Sequence, residues 1–427
     1  MPPRLPSLLA APPAAAGRLW LTGARLFDGR AVRDAAGVLI EDGRIARVGA
    51  ASDAAPEDAR VIDLAGRTLL PGLVDAHVHL KHEPAAPAPG AEPVWPGAAK
   101  HFVAAGLREM LRMGFTTVRD VGSYGDDVVE ARQAMRYGAF RGPRVLTCGR
   151  IVSPTAPGGR FFAGMYREAD GPDDVRRAVR EQLRRGADFV KVMSTGARSV
   201  ELEDPDPAQL TGAEIAVLVE EAHRMGYRVA AHAEGLAGTE LAIEHGVDTI
   251  EHGMYLHRRP DLLERMAESG QFLVPTLSCF YGVAGTDDPA APGAPAETWS
   301  PLLVELAEHN LEQADATLRA ARDAGVRIAM GFDWMPLGGN AIEIVRMVRH
   351  GLTAREALVA ATATAAEALG LGAHVGTVEP GRLADLVVVD GDPLHDVELL
   401  LRRERIWLVV QLGEPVAGAA LEGTVPL

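Results

Sequence analysis

Cysteine is nearly absent from this chain. Cys148 and Cys279 are the only two in 427 residues, too few for a disulfide framework, so a reduced and cytoplasmic setting is expected. Positive charge is also scarce: 43 Lys and Arg stand against 58 Asp and Glu, for a net charge of -15. Nucleic acid and anionic membrane both require clustered cations, and neither is an expected partner. Long apolar runs are missing too, since no stretch reaches the roughly 18 uninterrupted apolar residues of a transmembrane helix. At the start, Arg4 and Leu8-Leu9-Ala10-Ala11 have the flavour of an export signal, but Pro12 and Pro13 cut the apolar run short. Residues 1–18 therefore read as a flexible tail. What is left as partners is a small molecule and further copies of the chain, and a homo-oligomer is expected.

The punctuation of the chain divides it in three. From 19 to 70, short β-prone runs (Leu19-Trp20-Leu21, Gly37-Val38-Leu39-Ile40, Arg47-Val48-Gly49) alternate with turn signals such as Asp42-Gly43, as in a small β domain. The same style returns over 375–427, in Leu386-Val387-Val388-Val389-Asp390-Gly391 and Ile406-Trp407-Leu408-Val409-Val410. Between them, 71–374 alternates strand-like runs with amphipathic stretches, which argues for parallel strands and crossover helices. Strands are expected at 73–79, 116–120, 144–147, 189–193, 228–232, 249–252, 272–276 and 327–333, and helices at 173–185, 213–225, 238–245 and 303–324. The fold class is thus α/β: a (β/α)8 TIM barrel, with a small composite β-sandwich domain built from both termini.

The most informative segment is Leu73-Val74-Asp75-Ala76-His77-Val78-His79. Side chains alternate across a strand, so His77 and His79 share a face, about 6 to 7 Å apart along the backbone, and can converge on one metal ion. Asp75 shares that face. Other expected strands also end in a titratable side chain: Lys191, His232, His252 and Asp333. Taken singly, each has a plain structural reading, as a core histidine, a snorkelling lysine or a helix cap. Taken together they matter, because barrel enzymes carry out catalysis at the carboxyl ends of their strands. Lys191 lies in the apolar run Asp188-Phe189-Val190-Lys191-Val192-Met193, where a bare ammonium is costly to bury. Desolvation favours the neutral amine, which reacts with carbon dioxide to give a carbamate (N6-carboxylysine) able to bridge two divalent ions. Two ions sharing a hydroxide would provide a nucleophile and a polarised carbonyl, with Asp333 as general base and then acid.

These residues resemble the amidohydrolase superfamily, and within it the imidazolonepropionase-related group that includes prolidase-like dipeptidases and ochratoxin-hydrolysing amidases. The resemblance rests on the segment ending at His79, on Gly114-Phe115-Thr116-Thr117-Val118-Arg119-Asp120, on Val190-Lys191-Val192-Met193-Ser194-Thr195-Gly196, on His232-Ala233-Glu234, on Ile250-Glu251-His252-Gly253 and on Gly331-Phe332-Asp333, with the return Gly376-Thr377-Val378-Glu379-Pro380-Gly381. It implies one ion held by His77, His79 and Asp333, a second held by His232 and His252, and carboxylated Lys191 between them. Zinc is the expected metal. The implied reaction is hydrolysis of an amide or peptide bond in a dipeptide or N-acyl amino acid. A mononuclear cyclic-amide hydrolase, a lactonase or phosphotriesterase, and a non-enzymatic scaffold are the alternatives.

Two departures bear on substrate. Where the dipeptidase-like relatives carry a Gly-Gly-His-Gly loop, this chain reads Ser153-Pro154-Thr155-Ala156-Pro157-Gly158-Gly159-Arg160, so Arg160 takes the place of the loop histidine or the substrate differs. After Asp333 comes Trp334, a candidate apolar wall, or an indole packed beneath the loop. Glu234 resembles the glutamate that imidazolonepropionases use, and its plain reading is an acceptor behind the ligands or a cap for the helix that follows. Arg198 and Tyr255 are loop candidates for binding a substrate carboxylate or polarising its carbonyl, with solvation the plain reading for the arginines.

Overall fold

The computed structural model describes residues 17–80, 96–284 and 300–422; the expected tail lies outside them but for its last two residues. The opening β-prone runs form β1 (Arg18–Phe27), β2 (Val32–Glu41), β3 (Arg44–Ala50), β4 (Ala59–Asp63) and β5 (Thr68–Pro71). Asp42 and Gly43 join β2 to β3 with φ of 48° and 75°. Left-handed conformation at both central positions is what this tight hairpin turn requires, and Asp-Gly adopts it readily.

The middle of the chain supplies parallel strands: β6 (Leu73–Val78), β7 (Phe115–Asp120), β8 (Arg144–Thr147), β9 (Ile151–Ser153), β10 (Tyr166–Glu168), β11 (Val190–Met193), β12 (Val229–Ala233), β13 (Thr249–His252), β14 (Phe272–Val274) and β15 (Arg327–Ile328). The crossover helices Pro172–Arg185, Gly212–Arg224, Leu236–Glu244 and Pro301–Asp323 start and stop within two residues of expectation. Their ends show why: Thr211 and Glu214 cap each other's backbone N–H groups, and Gly186 closes its helix in the left-handed conformation,.

These strands form two parallel sheets, β6-β7-β8 and β10-β9-β11-β12-β13-β14-β15. Backbone hydrogen bonds cross both junctions. Asp188 N donates to Thr147 O at 2.8 Å, Ala76 N to Met330 O at 2.9 Å and Asp333 N to His77 O at 2.9 Å. The three-residue strands β9 and β10 were not expected, being too short to show a period. The eighth expected strand keeps only Arg327–Ile328 as regular ladder. Beyond it, Met330 N turns away to Ala360 O at 3.0 Å, in the π-helical segment Ala360–Thr364.

The chain then returns to its first sheet as β16 (Leu386–Val389), β17 (Ile406–Gln411) and β18 (Glu414–Ala417). The order is β18-β17-β16-β5-β1-β2-β3, with β4 beside β1, so the two ends of the chain share one hydrogen-bonded eight-stranded sheet where two facing sheets were expected. Its period-two pattern serves two cores. Leu69, Leu386, Val388, Leu408 and Val410 face a small core of their own, while Leu70, Val387, Val389 and Val409 pack with Leu73 and Phe115 in the large one,. The sheet thereby braces the start of β6, the strand that carries His77.

Candidate metal centre

The carboxyl ends of the parallel strands converge. His77 lies on β6 and His79 just past it, Lys191 on β11, His232 on β12, His252 at the end of β13, and Asp333 five residues beyond β15. Imidazole ring centres are 5.5 Å apart for His77 and His79, 5.4 Å for His77 and His252, and 4.5 Å for His232 and His252. Asp333 Oδ1 is 3.5 Å from Nε2 of both His77 and His79, and its Oδ2 is 4.0 Å from His252 Nδ1. Two groups have potential ligand atoms all within 4.8 Å of one another: His77, His252 and Asp333, and His232, Glu234 and His252. Lys191 is 2 % exposed; burial lowers its pKa, Arg119 lowers it further, and Glu251 and Asp333 oppose the shift.

Three strand ends at the centre depart from ordinary backbone geometry. His252, Thr276 and Asp333 have φ of 70°, 48° and 44°, a region that costs non-glycine residues energy and is found at functional sites. Strict alternation would send Glu251 and His252 to opposite faces of β13. Both instead bear on His77, Glu251 through a 2.7 Å hydrogen bond and His252 through its ring.

The protonation pattern tests whether these residues suit a cation. Each histidine has one ring nitrogen committed to an acceptor: His77 Nδ1–H donates to Glu251 Oε2 at 2.7 Å, and His79 Nδ1–H to Gly122 O at 2.8 Å. His232 Nε2–H donates to Gly196 O at 3.0 Å. His252 Nδ1–H donates to Thr276 Oγ1 at 2.6 Å, whose own hydroxyl is spent on Pro275 O. In the neutral rings of His77, His232 and His252 the other nitrogen keeps its lone pair, and the buried Nε2 of His77 has no hydrogen-bond partner among the described residues. Burial holds His77 and His252 well below the usual histidine range and His232 at about 3. Neutral imidazoles fixed in this manner are what divalent metals take.

The remaining predicted residues separate. Glu234 is buried 3.6 Å from His232, and burial pushes its carboxyl up to about 8. It caps no helix: the following helix, Leu236–Glu244, has Gly235 at its N-cap and no side-chain cap. Glu234 Oε2 accepts instead from Arg198 N at 3.2 Å, with Arg198 Nε at 3.3 Å. Arg198 is not solvated; its guanidinium lies 5.2 Å over the Tyr255 ring and reaches Asp206 at 2.9 Å. Trp334 is half-buried and packs on Gly282 of the helix Leu277–Ala284. Arg160 is exposed, in the short helix Pro157–Phe161.

Several residues of the centre escaped the sequence reading. Glu251 and Arg119 stand behind His77, and Thr276 behind His252. Asp75, placed on the histidine face by spacing, proves to be a brace: it accepts from His77 N, Phe332 N and Asn340 Nδ2. The one available signal for Glu251 and Arg119 was their place inside the motifs that also carry His252 and Asp120.

Comparison with known proteins supports the same reading. Residues 68–416 match the profile of the Amidohydrolase family. The chain is 32% identical over 430 residues to an ochratoxinase of Aspergillus niger, covering 92% of this chain and 85% of that protein. It is 27% identical over 394 residues to an imidazolonepropionase of Sphingopyxis alaskensis, covering 83% and 87%. Among solved structures, a Xaa-Pro dipeptidase with methionine bound in its active site superposes with a TM-score of 0.83 at 29% identity, covering 94% of this chain and 100% of the other. No helix among the described residues is long and apolar enough to cross a membrane. The chain belongs to the amidohydrolase family and is a hydrolase acting on C–N bonds.

Proposed function

We propose that the protein is a binuclear metal-dependent amidohydrolase that cleaves the amide bond of a dipeptide or an N-acyl amino acid. The observation that carries this reading is the gathering of His77, His79 and His252 around Asp333, with His232 beside His252 and each imidazole tied to an acceptor through one nitrogen. Two divalent ions, zinc by expectation, would supply the Lewis acidity that makes water nucleophilic near neutral pH and polarises the amide carbonyl. His77, His79 and Asp333 would hold one and His232 and His252 the other. Lys191, buried and biased towards its neutral amine, suits carboxylation and would add oxygen ligands between them. Asp333 Oδ2 takes the proton of the attacking water and delivers it to the departing nitrogen. Arg198, with its guanidinium against Tyr255 and beside Glu234, would serve as a recognition group for a substrate carboxylate, Trp334 would form an apolar wall, and exposed Arg160 would be a further carboxylate contact.

The relatives named ochratoxinase and Xaa-Pro dipeptidase support an acyl–amino acid substrate. We further propose that the two parallel sheets are arcs of one closed (β/α)8 barrel over 71–374, with 19–70 and 375–427 as its composite β domain, working as a homo-oligomer in the cytoplasm. A second reading, mononuclear cyclic-amide hydrolysis, is favoured by buried Glu234 beside His232. Metal content by plasma mass spectrometry separates them. Two ions per chain, falling in Lys191→Ala with loss of dipeptide or N-acyl amino acid cleavage, is the expected result. One ion in both proteins overturns the binuclear reading and moves the chemistry to Glu234.

A further inference from the structure

Behind His77 lies a closed polar network that takes no direct part in the reaction above. Arg119 on β7 donates through Nη2 to Glu251 Oε1 at 2.8 Å, through Nη1 to Thr249 Oγ1 at 3.1 Å, and through Nε to Ala76 O at 2.6 Å. Thr249 Oγ1 donates in turn to the same Glu251 Oε1 at 2.5 Å. The remaining carboxylate oxygen, Oε2, faces His77 Nδ1. His77, Thr249 and Glu251 are fully buried and Arg119 is 2 % exposed. The network joins β6, β7 and β13 from inside.

Such an arrangement is poorly explained as a stability device. A buried ion pair pays a desolvation cost that its own attraction often fails to recover, and apolar side chains of similar volume do as well or better. Its geometry fits another purpose. Arg119 and Thr249 both donate to Oε1, which fixes the carboxylate plane and turns Oε2 to His77 Nδ1. An ionised carboxylate has acceptors only. Nδ1 of His77 must therefore carry the proton, and Nε2 must present its lone pair.

We propose that Glu251 is a positioning residue, locked by Arg119 and Thr249, that fixes the His77 ring in its Nδ1–H tautomer and turns Nε2 towards the metal centre. What Nε2 binds rests on the metal-centre reading; the tautomer does not. Nitrogen NMR of histidine-labelled apoprotein, with the His77 signal identified by its loss in His77→Asn, reads the tautomer directly. Zinc titration of the same apoprotein against a competing chelator reads affinity. In the wild type His77 is protonated at Nδ1. In Glu251→Gln, whose amide can present a donor or an acceptor to the ring, that preference is lost and one of the zinc ions binds about 10- to 100-fold more weakly. Arg119→Lys, which keeps the charge but cannot hold three partners in one plane, falls between the two. Protonation of wild-type His77 at Nε2, or unchanged tautomer and affinity in Glu251→Gln, overturns the proposal. If Glu251→Gln does not fold, the wild-type tautomer and Arg119→Lys decide it. A wild type that binds no zinc refutes the metal-centre reading but leaves the tautomer result standing.

Discussion

Replacing Gly331 by alanine should disable the candidate metal centre without replacing any of its residues. A Cβ at this position would lie 2.4 Å from Val274 Cγ1, 2.6 Å from His77 Cβ and 3.3 Å from His77 N. Carbon atoms pack at about 3.5 to 4.0 Å, so about 1 Å of room is missing on either side. Neither neighbour yields easily: Val274 is β-branched, which restricts its χ1, and both side chains are fully buried,. Either β6 moves with His77, or the segment 331–333 lifts and carries Asp333. Each route displaces a cluster residue by about 1 Å, and misplacement of that size costs about 100-fold in rate, or about 2.7 kcal/mol of barrier. The strain itself costs about 1 to 3 kcal/mol of stability. The assays are kcat/KM on an amide substrate of the wild type and zinc affinity of the apoprotein. Gly97→Ala is the control, because its Cβ meets nothing within 4 Å. Gly331→Ala within threefold of wild type in both measurements would refute the packing argument.

Other perturbations follow from the same contacts. Gly282→Ala drives a Cβ to within 1.9 to 2.3 Å of the Trp334 indole; it should shift tryptophan fluorescence and raise KM more than it lowers kcat, and an unchanged KM would show that Trp334 is no wall to the substrate. The Asp248 carboxylate accepts from His223 at 2.8 Å and raises its pKa. That contribution is complete below the unfolded value of about 6.5 and is lost as pH rises through the higher folded value; the melting-temperature gap between wild type and His223→Gln should shrink above about pH 6.5, and a constant gap contradicts the pairing. Glu221, bonded to Arg180 and Arg224, is held down from 4.5 to about 2. Its contribution is present above about 4.5 and fades as pH falls towards 2, so acid titration of Glu221→Gln should converge with wild type over that window. Because its arginine partners are largely exposed, the effect is small.

Legibility followed the range of the interactions involved. A buried parallel strand announces itself as an apolar run, and a histidine, lysine or aspartate that ends one is visible without any knowledge of its neighbours; that local rule singles out His77, His79, Lys191, His232, His252 and Asp333. The rule fails where bonding is not local. The segment 327–333 looks like a strand and is one for two residues, because Met330 N leaves the ladder for Ala360, thirty positions along the chain. Arg198 looks like a solvated loop cation, yet the residues that enclose it, Glu234 and Tyr255, come from the ends of later strands. Glu251 was missed for a different reason. Reading one polar terminator per strand assigns β13 to His252, and alternation then places Glu251 on the far side. What defeats that logic is the positive φ of His252, a conformation that histidine adopts more readily than most residues but that nothing in Ile250-Glu251-His252-Gly253 encodes. The backbone turns after Glu251, so consecutive residues reach the same imidazole from two directions. The candidate metal ligands are therefore a property of strand pattern, whereas the choice of which nitrogen each one offers is a property of tertiary structure. That choice decides whether four histidines bind a cation or merely neighbour one another.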